Sequence, residues 1–132
     1  MQKAINRGDI YHRFFTTTIP PKDKFFVIIG EDEKNYVGYF FINSNIPRCV
    51  VQNEEKYSMQ FPIKTSDYPF LTHQSFIACD KLLKLCKTDL IEELHSGKTK
   101  FKGRILQEHM EMLLEAAIKS PVFSSKEKEL FK

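Results

Sequence analysis

Lys24-Phe25-Phe26-Val27-Ile28-Ile29-Gly30 is the stretch that most limits what this chain can become. It is too short for an ordinary helix and lacks the in-out alternation of a half-exposed strand. The run therefore predicts a strand covered on both sides. Glu31 to Asn35 supplies a turn, and Tyr36-Val37-Gly38-Tyr39-Phe40-Phe41-Ile42-Asn43 returns as its hairpin partner. Gly38 within that return predicts a bulge or a sharp bend.

Other short strands flank this hairpin. Ile10 to Phe15 reads as a first strand, ended by a loop from Thr16 to Asp23 in which Pro20-Pro21 removes backbone donors. Arg48 to Val51 is a short strand candidate, and Gln60 to Ile63 is confined to an edge by Pro62. Ser75 to Cys79 reads as an inner strand, continued by Lys81 to Leu85 as a strand or one helical turn. Thr88 to Gly97 predicts a helix, with Thr88 capping its first turn and Gly97 giving a left-handed stop. From Leu106, an apolar stripe through Met110, Leu113, Ala117 and Ile118 predicts a longer helix ended by Ser120-Pro121. Ser124 to Lys132 reads as a charged, frayed tail.

Six or seven short strands and a terminal helix predict a mainly β (α+β) fold. The expected form is an SH3-like small barrel with a C-terminal helix; the alternative is an open sheet with the helix across one face. One domain is expected over 1–132, with the barrel at about 8–104 and the closing helix at about 104–119. A chain of 132 residues suits one domain and needs neither disulfide nor metal for stability. Cys49, Cys79 and Cys86 form no C-x-x-C pair, so neither a zinc site nor a disulfide framework is expected. No cofactor is expected. No apolar run reaches membrane-spanning length, and the first residues lack the apolar middle of a signal peptide, so a soluble, cytoplasmic protein is expected. The net charge of +3 permits contact with a polyanion. Its distribution says more: 97–104 holds four cations and no acid.

The order and spacing of these patches resemble the PemK/MazF family of toxin-antitoxin ribonucleases. The resemblance rests on Gly8-Asp9-Ile10-Tyr11 as the opening signature, the strand Lys24 to Ile29, Ser75 to Leu85 as the penultimate strand and its exit, and Gly103-Arg104-Ile105-Leu106 before the closing helix. It implies a metal-independent endoribonuclease for single-stranded RNA, a homodimer, held inactive by an antitoxin protein. Such an enzyme uses the RNA's own 2′-OH as nucleophile, and its site must move protons and stabilise charge on the phosphate. The family's arginine position falls on Lys24, and its threonine position on Asn43, with Ser44 beside it. Lysine keeps the cation but loses the planar fork that clamps phosphate, and Asn43 cannot act as acid or base. These exchanges raise the alternative of a non-catalytic SH3-like module that binds RNA or a protein partner.

The resemblance, together with the local chemistry, nominates His12, Lys24, Asn43 and Ser44 as the catalytic set, with His12 as proton carrier. His12, Arg13, Lys24 and Ser44 are expected on one edge of the barrel. Arg13, Lys22, Lys98, Lys100 and Lys102 are the expected RNA contacts. An extended 98–102 would put its three lysines on one side, as a phosphate-tracking strip or a charge-protected sheet edge, and turn Thr99 and Phe101 inward. Tyr11, Phe14, Phe15 and Tyr39 are candidates for base stacking. His73 and Gln74 could line the same cleft; His95 and His109 have no assigned role.

Overall fold

The computed structural model describes residues 5–16, 21–43, 60–71, 75–79, 82–120 and 123–131, with backbone alone at 42, 43 and 60. Its strands are β1 (Asp9–Phe15), β2 (Lys22–Glu31), β3 (Asn35–Asn43), β4 (Gln60–Ile63), β5 (Ser75–Ala78), β6 (Leu83–Cys86) and β7 (Thr99–Arg104). Its helices are α1 (Lys87–Ser96), α2 (Gln107–Lys119) and α3 (Ser125–Lys128), followed by a 3₁₀ turn at Glu129–Phe131. The strand candidate Arg48–Val51, and Ser44, His73 and Gln74, lie outside the described residues.

All strand pairs are antiparallel, in the order β4-β5-β3-β2-β1-β7, with β6 also on β3. The fold is thus predominantly β, but the closed barrel expected from the sequence does not form: among the described residues no pairing joins β7 back to β4. β5 covers the second half of β3 (Phe41 opposite Ile77) and β6 its first half (Gly38 opposite Leu83), like one long strand broken after Ala78. The opening between the two ends is crossed by side chains of 64–71 instead of by a strand. Tyr68 receives the Leu106 N–H at 3.1 Å, and the Phe70 ring lies beside Gly103 of β7.

β2 is covered on both sides, as its composition requires; Phe26 to Gly30 are all buried. Ile10, Val27, Ile29, Val37, Tyr39 and Ile77 form one core with Met110, Leu113 and Ala117 of α2. Tyr11, Phe15, Phe26 and Ile28 form the other with Leu90 of α1. Alternate residues of β1 and β2 thus feed opposite cores, each capped by its own helix. This second helical cover explains why an open sheet is stable: neither apolar face needs a barrel interior to leave water.

The expected bulge is present, but on the partner strand. Ile28 pairs with Gly38 and Gly30 with Val37, so Ile29 is the extra residue on β2. Gly38 contributes space: a Cβ there would strike the Val27 carbonyl. Pro62 sits on the edge strand β4, as expected. Gly97 ends α1 at φ 83°, the left-handed geometry that glycine adopts cheaply. Thr88 does not cap that helix; the N-cap is Cys86, which makes no side-chain cap bond, because helix geometry begins at Lys87. On α2 the buried stripe is Met110, Leu113 and Ala117, whereas Leu106 and Ile118 are 38% and 40% exposed.

The C-terminal segment is not frayed. Ser124 and Glu127 make a reciprocal capping box around α3, and Phe123 and Phe131 bury their rings. Both rings stack on Tyr39 at 6.3 Å. Gly30 makes room for this docking, since a Cβ there would collide with the Leu130 carbonyl.

Candidate nucleic-acid interface

β1 decides which candidates can act together. Along it, His12 and Phe14 point to the side of Ile10, and Arg13 and Phe15 to the side of Tyr11, because strand side chains alternate. The registers carry this into the neighbours: His12 pairs with Phe25 and Lys100, while Arg13 pairs with Lys24 and Thr99. His12 therefore lies on the opposite face of the sheet from Arg13 and Lys24. The expected grouping of these three on one edge is divided by the strand itself.

On the Arg13 side, the guanidinium is engaged. Its Nε lies 3.1 Å from Glu93 Oε1 of α1, and its charge sits over the Phe15 ring at 4.8 Å. The same Glu93 oxygen accepts from the Thr99 hydroxyl at 2.8 Å, tying α1 to β7. Lys24 Nζ lies 5.3 Å from the centre of the Phe40 ring. Burial, with the nearby Lys22 charge second, holds the Lys24 amine below its ordinary pKa. This is a packed, ion-paired surface.

The His12 side is built differently. His12 and Phe25 have ring centres 4.6 Å apart, and Phe25 continues to Phe70 at 5.1 Å. All three residues are half-buried, and Phe25 and Phe70 also pack against the core shared with α2. Phe14, two residues beyond His12, is 47% exposed. Lys100 and Lys102 are exposed close by, and among the described residues neither forms an ion pair. Burial lowers the His12 pKa; Asp23 opposes this, and Lys102 and Lys100 reinforce it. His12 is accordingly a neutral imidazole at neutral pH, able to accept a proton or a hydrogen bond.

β7 departs from the simple alternation expected of its lysines. Ile10 pairs with Gly103 and Tyr11 with Phe101, leaving Lys102 as the extra residue of a bulge. Thr99 is buried, but Phe101 is 44% exposed and meets Tyr11 at 5.7 Å. An edge strand has no second neighbour to cover it. Lys22 and Lys98 are also exposed. Asn43 ends β3 opposite Ser75, and its side chain lies outside the described atoms. Of the four aromatics expected to stack bases, only Phe14 is accessible; Tyr11, Phe15 and Tyr39 are core residues.

Sequence reasoning missed Phe25 and Phe70 as half-buried rings beside His12, and missed the role of His109. Tyr68 and His109 are linked at 2.7 Å between the phenol oxygen and Nδ1. Since the Tyr68 oxygen already accepts from Leu106 N–H, every proton is satisfied when Tyr68 donates to Nδ1. No local pattern connects residues 41 positions apart. Among the described residues no group of histidine, cysteine or carboxylate side chains could hold a metal, and no helix is long and apolar enough to cross a membrane. No family model matches the chain, and no curated protein is found as a relative.

Proposed function

We propose that this protein binds single-stranded RNA across the surface where β1, the start of β2 and β7 meet. The observation that carries the reading is the His12–Phe25–Phe70 ring series beside exposed Lys100 and Lys102, which form no ion pair among the described residues. Half-buried rings at a surface offer stacking to bases of any sequence, and nearby cations neutralise the phosphates that follow them. Lys98 and exposed Phe14 extend the surface, whereas Lys22, paired with Phe15, lies on the Arg13 side. The test is fluorescence anisotropy with a labelled single-stranded RNA in chelator at several salt concentrations. Lys100→Ala with Lys102→Ala is expected to weaken binding at least about tenfold at low salt and to flatten the salt dependence. Unchanged affinity in that variant would refute the assignment.

A second reading, cleavage of the bound RNA, is favoured by the neutral His12 among the lysines of this surface. His12 would take the proton of a ribose 2′-OH as that oxygen attacks phosphorus. As the P–O2′ bond forms the P–O5′ bond would break, the leaving O5′ taking a proton from water and the His12 imidazolium returning its proton to solvent. Lys100 and Lys102 would hold the charge that builds on the phosphate. This agrees with the PemK/MazF resemblance of the sequence. With it come an SH3-like ancestry for the sheet, a homodimer, a cytoplasmic setting and an antitoxin partner. Discrete fragments with cyclic-phosphate ends in chelator, lost in His12→Ala, would establish cleavage. Intact RNA that still shifts in mobility would leave the binding module alone.

A further inference from the structure

We infer that RNA held on the His12 surface continues to a second stacking platform, formed by Phe61 of β4 and His109 of α2. The inference rests on the RNA-binding reading and specifies its footprint. Phe61 and His109 have ring centres 5.4 Å apart, and both are half-buried. Neither joins the first ring series directly. Tyr68 links the two groups: its ring lies 6.0 Å from Phe70 and 5.8 Å from His109. The two platforms are therefore only two ring-to-ring steps apart, across the opening that 64–71 bridges.

Tyr68 itself is 2% exposed and cannot receive a base. Its part is to hold the platforms in register, with its hydroxyl fixed between Leu106 N–H and His109 Nδ1. Tyr68 donating to Nδ1 leaves Nε2–H as the ring's remaining donor, suited to a base oxygen or nitrogen. The charges at this end differ from those near His12. Asp67 and Glu108 both act on Tyr68 by their negative charge. Phosphates are disfavoured there, so this end takes bases while the lysines of β7 take the phosphates. The ligand is a short single strand whose bases are unpaired, with a footprint of roughly four to six nucleotides.

The experiment measures affinity against length with labelled oligouridylates of about two to eight nucleotides, using the full chain. In the wild type, affinity should climb until both platforms are spanned and then level off. The double variant Phe61→Leu, His109→Gln keeps volume and polarity but removes both π faces. It should bind the shortest RNAs as the wild type does and lose roughly tenfold on the longer ones. Its salt dependence should be unchanged, because no phosphate contact is removed. His109→Gln alone, whose side-chain amide can still bond Tyr68, should show part of the same loss and guards against misfolding of the double variant. If both variants fold and bind every length as the wild type does, the second platform is refuted while RNA binding stands. If the wild type binds no RNA of any length, the underlying reading fails with it.

Discussion

The Tyr11 hydroxyl donates a 3.0 Å hydrogen bond to the Asp9 carboxylate two residues before it on β1. The same oxygen of Asp9, a residue only 4% exposed, accepts the Asn6 N–H at 2.9 Å. Its other oxygen faces Arg104 Nε at 3.3 Å. Gly8 meanwhile donates to the Ile28 carbonyl and accepts from Ile105 N–H. The Gly-Asp-aliphatic-Tyr opening is thus the clamp that fastens β1 to β2 and to the exit from β7. Asp9→Ala should cost about 2–3 kcal/mol, as the buried Tyr11 hydroxyl and the part-buried Asn6 N–H lose their acceptor, and Tyr11→Phe about 1 kcal/mol. Arg104 is largely exposed, so Arg104→Ala should cost well under 1 kcal/mol. Urea unfolding checks the ranking; a larger loss for Arg104→Ala than for Asp9→Ala would overturn it.

Tail docking should be a large part of the stability of this sheet. Phe131→Ala removes a buried ring from against Tyr39 and should cost about 3–5 kcal/mol. Gly30→Ala should displace the same segment through the Leu130 carbonyl. Because both act on one docking event, their effects in the double variant should fall clearly short of additive. Additive losses would show that the tail is not the shared cause.

Acidification should move stability and RNA affinity in opposite directions. The folded-state pKa of His12 lies below its ordinary value, chiefly through burial. As pH falls below about 6.5 the unfolded chain takes up a proton that the folded chain resists, so stability declines from there down to the folded-state value. His12→Phe keeps a ring against Phe25 and should remove that contribution to the slope. In the native protein, protonated His12 adds charge beside Lys100 and Lys102, so RNA affinity should rise over the same fall in pH. A thermal-shift series and an anisotropy series across this range give the two readouts.

The two faces of β1 should separate cleanly in binding. Lys24→Ala, on the Arg13 side, should leave RNA affinity within about twofold, whereas Lys102→Ala, whose charge acts on His12, should reduce the salt slope by about 0.7. The reverse result would place the ligand on the α1 side, where a cleft of about 380 Å³ lies between Ile91, Leu94 and Phe101.

Local sequence specified elements where one residue type has a single cheap solution. Pro62 lacks the N–H that an inner strand needs, Gly97 tolerates φ 83°, and Met110, Leu113 and Ala117 recur at helical spacing. The Ser124-x-x-Glu127 capping box was equally present in the sequence, yet charge dominated the reading of that segment as frayed. Two β-bulges shifted the finer alternation: Ile29 and Lys102 are extra residues that only a partner strand reveals. For the candidate site, His12, Lys100 and Lys102 are recognisable by chemistry, but the alternation of β1 separates Arg13 and Lys24 from His12. Which side of a strand faces solvent depends on what packs against each face.

The sequence alone determined that this chain is predominantly β, with a doubly covered β2, a proline-marked edge and an apolar helix stripe. Backbone donors, chirality and side-chain size act within a few residues, and these features follow from them. Only the tertiary structure decided that the sheet stays open with a helix on either face. It also brought Phe70, Tyr68 and His109 into line and turned Arg13 toward Glu93 while His12 faces Phe25. Those outcomes depend on contacts between residues tens of positions apart, where the burial of apolar area sets the choice and no local pattern encodes it.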